Sequence, residues 1–152
     1  MQSFEDVGTW GHAWAWGLPL IVATVVVHVL GLVLVRAAIA RAFASPTPDR
    51  AAHMMRFAAV MGMAALLTTL LHLVQAGVWA VAYVAVGALP SMHEAMLYSL
   101  NAMTAYGHTS VYLTPHWQML GALQALNGLM LFGLSTAFLY AMIQHGWPAR
   151  SP

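Results

Sequence analysis

Three long apolar stretches separated by short polar interruptions dominate the 152-residue chain. The first runs from about Gly17 to Ile39, and its core, Leu18 to Val35, meets the ~20 apolar residues that a membrane-crossing helix needs. Arg36 and Arg41 close it, and Ala44 to Arg50 is a polar turn holding two prolines. The second stretch extends from about Phe57 to Leu89, with Gly77 and Gly87 as points where a helix could tilt or break. The third extends from about Gln118 to Ile143 and leaves a short polar tail.

Between the second and third lies a segment of a different kind. Pro90 stops the preceding span, Ser91 can cap a short helix reaching Met103, and Glu94 three residues later completes a capping-box pattern. The next stretch, Thr104-Ala-Tyr-Gly-His108, follows neither a helical nor a strand period, and Thr114-Pro115 leads back into apolar sequence. A helix too short to cross a bilayer, an irregular backbone and a returning apolar helix predict a re-entrant loop. Irregular backbone at membrane depth is tolerated only where protein buries it or where it lines a water-filled path. The pattern therefore points to a pore or a cavity.

Composition narrows the class. Hydrophobic residues make up 61% of the chain and charged residues 6%, against ~25% charged in an ordinary soluble domain, so the expectation is an integral membrane protein. The absence of cysteine excludes disulfides, thiol chemistry and Cys-ligated metal. A formal charge of +1 leaves no basic surface for nucleic acid. All five basic residues are arginine, which fits a GC-rich bacterial genome and says nothing about function. Glu5 and Asp6 stand where a cleavable signal would carry positive charge, so none is expected. No phosphate loop, nucleophile–base pair or paired carboxylates appears, so the protein is not expected to be an enzyme and no resident cofactor is implied.

Arginine placement predicts orientation. Arg36, Arg41, Arg50 and Arg56 flank the first loop and Arg150 lies in the tail, which makes these segments cytoplasmic by the positive-inside rule. The N-terminus and residues 90–116 are then outside. Trp10, Trp14, Trp16, Trp79 and Trp117 would mark the outer interface and Trp147 the inner one. The expected location is the cytoplasmic membrane of a bacterium, crossed several times.

The order helix, pore helix with filter, helix resembles the pore module of the tetrameric potassium-channel superfamily, preceded here by one extra span. The resemblance covers residues 92–143. Glu94-Ala-Met-Leu-Tyr-Ser-Leu100 looks like the pore helix of bacterial two-helix channels, with Tyr98 and Ser99 as its aromatic and serine. Leu120 to Phe138 is similar to the family's inner helix, with Gly128 or Gly133 in the place of a gating hinge. The family filter reads Thr-Val-Gly-Tyr-Gly-Asp, whose carbonyls replace an ion's hydration shell. The corresponding residues are Thr104, Ala105, Tyr106, Gly107 and His108. Either one residue is missing between Thr104 and Tyr106, or the match is in register and Tyr106 and His108 replace both glycines. With one glycine left, the usual stack of four carbonyl sites is not expected intact, because successive carbonyls facing one axis need backbone angles that a Cβ disfavours. What the resemblance implies is a homotetramer passing small monovalent cations, with His108 near the place of the family's acidic residue.

Helical phase adds a separate expectation. On the third span Gln124, Asn127, Gly128, Leu131, Ser135 and Met142 gather within roughly a 100° sector. Such a stripe lines a water-filled cavity or makes a helix–helix contact; the pore reading takes Gln124, Asn127 and Ser135 as cavity lining. On the second span His72 shares a face with Thr68, Gln75 and Trp79, and His28 stands in a valine run of the first. Intramembrane histidines are functional candidates, and each also reads as a neutral, hydrogen-bonded packing residue. Axial ligation of a haem by His28 and His72 is the minor alternative. Glu94, His93 and His108, with His116, could form a pH-sensitive or metal-binding cluster, or Glu94 could only cap its helix. Met54, Met55, Met61 and Met63 start an apolar helix and read as packing.

The sequence thus predicts an all-α membrane protein of three spans and one re-entrant loop, four-fold in assembly. It divides into residues 1–53 (outer segment, first span, loop) and 54–152 (channel-like pore module). A non-conducting sensor or complex subunit on the same scaffold is the competing function.

Overall fold

The structure, a computed structural model, describes residues 6–44, 49–107 and 110–146. Within these the chain is helical: α1 (Asp6–Ala42), α2 (Arg50–Ala85), α3 (Met92–Met103) and α4 (Gln118–Gly146), with a single 3-10 turn at Pro115–Trp117 before α4. Three helices, α1, α2 and α4, are long and apolar enough to cross a membrane. The chain is a multi-pass membrane protein by the length and composition of these elements.

Each boundary has a local cause. α1 begins eleven residues earlier than the apolar pattern suggested and carries Pro19 inside it, because Trp10, Trp14 and Trp16 continue the helix as exposed residues. Asp49 caps α2 by accepting the amide N–H of Ala51 and Ala52. α2 passes Gly77 unbroken and ends at Gly87, where φ is +70°. There the Ala88 N–H reaches the Tyr83 carbonyl and the Gly87 N–H the Val84 carbonyl, the paired bonds of a Schellman end. Ser91 caps α3, its hydroxyl accepting the Glu94 N–H at 3.2 Å.

α3 ends by the same device. Tyr106 N–H bonds the Asn101 carbonyl and Ala105 N–H the Ala102 carbonyl, which places Ala105 in the left-handed position at φ +52°. Alanine there costs roughly 1–2 kcal/mol relative to its right-handed form.

The core has two parts. Near the end of the bundle where α2 stops and α4 begins, Trp79, Tyr83, Leu89, Leu113, Leu120 and Leu123 pack around Ala13 and Ala95. Trp79 is completely buried there, so it is a packing residue and not the interfacial anchor expected from its type. Deeper, Ala76, Met103 and Leu131 form a second cluster. α1 packs on both α2 and α4, with Thr24 and His28 at its buried face.

Candidate functional site: α3 and the buried polar chain beneath it

α3 is wedged between α2 and α4. Its Ser99 hydroxyl donates to the Ala76 carbonyl of α2 at 2.7 Å, a bond open to Ala76 in addition to its own helix partner. The Gln124 amide of α4 donates to the Ser99 carbonyl at 3.2 Å and also bonds its hydroxyl. Tyr83 donates to the Gln124 side-chain oxygen at 2.6 Å. Tyr98 stands edge-on to Tyr83, ring centroids 5.3 Å apart, with its hydroxyl end against Gly121. At the tip, the Met103 carbonyl and Cα lie so close to Gly128 that a methyl group at 128 would collide with them. Of the three pore-helix residues expected, Ser99 and Tyr98 hold α3 to its neighbours and Glu94 supplies the capped N–H.

This docking sets depth. Gly128 is ten residues into α4, so the tip of α3 lies roughly 15 Å from the start of that helix. From there Thr104, Ala105, Tyr106 and Gly107 leave the helix, and all four are exposed on the surface of the chain; Tyr106 is 68% exposed. The fifth filter candidate, His108, lies outside the described residues.

Below α3 the polar residues of three helices meet. His28 Nε2 and His72 Nε2 lie 2.9 and 3.0 Å from the Ser135 hydroxyl oxygen, which donates its own proton to the Leu131 carbonyl. With that proton spent, the oxygen accepts from both rings, and each histidine carries hydrogen on Nε2. His28 Nδ1 is then an acceptor, and the Gln75 amide donates to it at 2.9 Å while its second hydrogen goes to the Thr24 carbonyl at 3.2 Å. Asn127 donates to the Thr24 hydroxyl at 2.8 Å, which in turn donates to the Leu20 carbonyl. Phe132 stacks on His72 at 4.3 Å. Four buried polar atoms have no partner among the described residues: His72 Nδ1, Gln75 Oε1, Asn127 Oδ1 and Trp79 Nε1. Three of the four are acceptors, so the cluster suits hydrogen donors and repels anions.

The stripe on α4 therefore gathers where helical phase puts it but looks inward. Gln124 and Asn127 are fully buried and Ser135 is 5% exposed. Their expected role as cavity lining gives way to the helix–helix contact, because each finds its partner on α1, α2 or α3 of the same chain. Gly128 likewise serves close approach, while Gly133 has open space around it. His28 and His72 aim at one hydroxyl with ring centroids 5.0 Å apart. His116 lies 5.6 Å from His12 and edge-on to Trp117, and among the described residues no three His, Asp or Glu side chains are grouped to hold a metal.

Thr24 and the specific pairing of His28 with Gln75 and Ser135 were not singled out by sequence. A signal existed: Thr24 and His28, and Thr68, His72 and Gln75, recur at helical spacing in otherwise apolar spans. Compared with protein-family models, curated proteins and solved structures, the chain matches none.

Proposed function

We propose that the protein is a subunit of a cation channel, in which residues 104–108 of several copies surround a common axis and α3 is a re-entrant pore helix. The observation that carries this reading is the exposed, irregular backbone of Thr104 to Gly107 at roughly half the ~30 Å hydrocarbon depth. Irregular backbone at that depth is tolerated only where protein covers the residues or they line a water-filled path. Further copies of the chain around a closed axis can cover them, and a re-entrant loop that belongs to one subunit encloses an axial path only by rotation.

The left-handed angles at Ala105 and Gly107, two residues apart, add support. A loop that turns carbonyls toward a cation needs left-handed residues at intervals along it, and Ala105 can serve this as well as ending α3. This favours the alignment with one residue missing before Ala105 and Ala105 in the place of the first glycine. The ion class is small and monovalent, because the loop carries no carboxylate to attract a divalent ion. The cavity wall passes to the exposed face of α4, with Leu126, Met130, Gly133 and Thr136, and Gly133 is the better hinge since nothing packs against it. In the orientation that arginine placement favours, α3 enters from outside a bacterial cytoplasmic membrane.

The test is ion flux from liposomes holding the purified protein, under separate potassium and sodium gradients. Monovalent flux is expected. No flux at any pH from a verified tetramer would reject conduction and leave the scaffold as a non-conducting subunit.

A further inference from the structure

An apolar groove runs along the α1–α2 seam toward the turn that joins them. One part is a cavity of about 350 Å³ lined by Gly31, Leu34 and Ala38 of α1 and by Leu67, Leu70 and Val74 of α2. A second of about 90 Å³ continues past Ala38 and Leu67 to Ala42 and Val60. Its walls face outward: Leu34 is 72% exposed and Val74 57%. From Val74 to Val60 the groove follows roughly 21 Å of α2, which exceeds the ~15 Å half-thickness of a bilayer core.

The groove ends in positive charge. On α1, Leu34, Ala38 and Arg41 follow one another at four and three residues; on α2, Met63, Val60 and Arg56 do so at three and four. Both walls therefore continue into a guanidinium on the same helix face. The Arg56 guanidinium lies 5.5 Å from the Phe43 ring, just past the end of α1, which brings it to the joining turn. Four arginines, 36, 41, 50 and 56, lie in the sequence around this end, with one carboxylate, Asp49, among them.

We propose that this groove binds an anionic phospholipid of the phosphatidylglycerol type, one acyl chain lying between α1 and α2 and the phosphate held by Arg41 and Arg56. An aliphatic slot open to the bilayer takes a chain of any lipid; a guanidinium at the end of each wall selects a phosphate head that carries net charge. The site needs only that α1 and α2 span the membrane and is independent of conduction.

Native mass spectrometry of the detergent-solubilised protein tests this, with phosphatidylglycerol or phosphatidylcholine of equal chain length added. The wild type should retain phosphatidylglycerol with a preference of roughly ten- to thirty-fold, from about 1 kcal/mol for each arginine. The double variant Arg41→Gln/Arg56→Gln should bring the two lipids close to parity. Ala38→Phe fills the slot from an exposed position and should lower phosphatidylglycerol occupancy about as far; should that variant lose its helical signal, Val74→Phe does the same from α2. Parity in the wild type overturns the proposal. So does a folded slot-filled variant with unchanged phosphatidylglycerol retention, since the arginines would then hold a headgroup at the surface with no chain in the groove.

Discussion

Ser135 shows how much one small residue does in this bundle. Its oxygen takes hydrogen bonds from a histidine on α1 and a histidine on α2, so a single hydroxyl on α4 ties three helices together. Ser135→Ala leaves two buried N–H groups without an acceptor, at about 1–3 kcal/mol for each group left unsatisfied. Loss of at least ~2 kcal/mol is expected in reversible unfolding of the protein in mixed micelles, and a change under ~0.5 kcal/mol would mean the rings find other partners. Ala105 offers the opposite sign. It holds a left-handed helix end that glycine occupies without strain, as Gly87 does at the end of α2. Ala105→Gly should raise stability by about 1 kcal/mol, read as a higher midpoint in the same assay. These roles were partly legible in the sequence: the types and helical phase of Gln124, Asn127 and Ser135 marked a face, but their partners did not show. Nor did Ala105, since no sequence signal distinguishes an alanine forced into the left-handed region from the alanines around it.

At the scale of elements, α3 is the part whose position everything else depends on. Two glycines of α4 separate its docking from ordinary helix propensity. At Gly133 an added methyl meets nothing, and at Gly128 it meets the Met103 backbone. Alanine exceeds glycine in an unobstructed helix by ~1 kcal/mol, so Gly133→Ala should stabilise by up to that amount. Gly128→Ala should destabilise in spite of the same gain, because a backbone contact cannot move without displacing α3. Thermal midpoints of the two variants measured side by side check this; equal shifts would show that α3 does not rest on Gly128. The helices themselves were readable, since long apolar runs, Pro90, Ser91 and Thr114-Pro115 punctuate the chain within a few residues of the end of α2, both ends of α3 and the start of α4, while α2 itself starts at Arg50, well before the apolar run at Phe57. The direction of the faces was not. In water the apolar side of a helix looks inward, but lipid is as apolar as a protein core, so hydrophobic period does not tell the α4 stripe which way to turn. The buried side had to come from hydrogen-bond partners on other helices. The place of the first span was hidden for the same reason: only Thr24 and His28 at its buried face make α1 part of the core.

The whole molecule raises the question of what covers Thr104 to Gly107. On the reading proposed above these exposed residues lie at mid-depth, and copies of the chain assembled around an axis would cover them. The sequence helps here, because it contains no cysteine and any introduced thiol is the only one in its subunit. Tyr106→Cys places a thiol on the exposed loop. If copies converge there, mild oxidation in membranes should link subunits pairwise, giving a disulfide dimer on a non-reducing gel. Leu30→Cys sits on an exposed apolar position of α1, away from the loop, and should stay monomeric under the same oxidant. Strong dimerisation of the first with little of the second supports a closed ring about the loop. Equal behaviour of the two would break the inference, for the exposed backbone would then need a cover other than its own copies, and the axial path for ions would lose its physical basis.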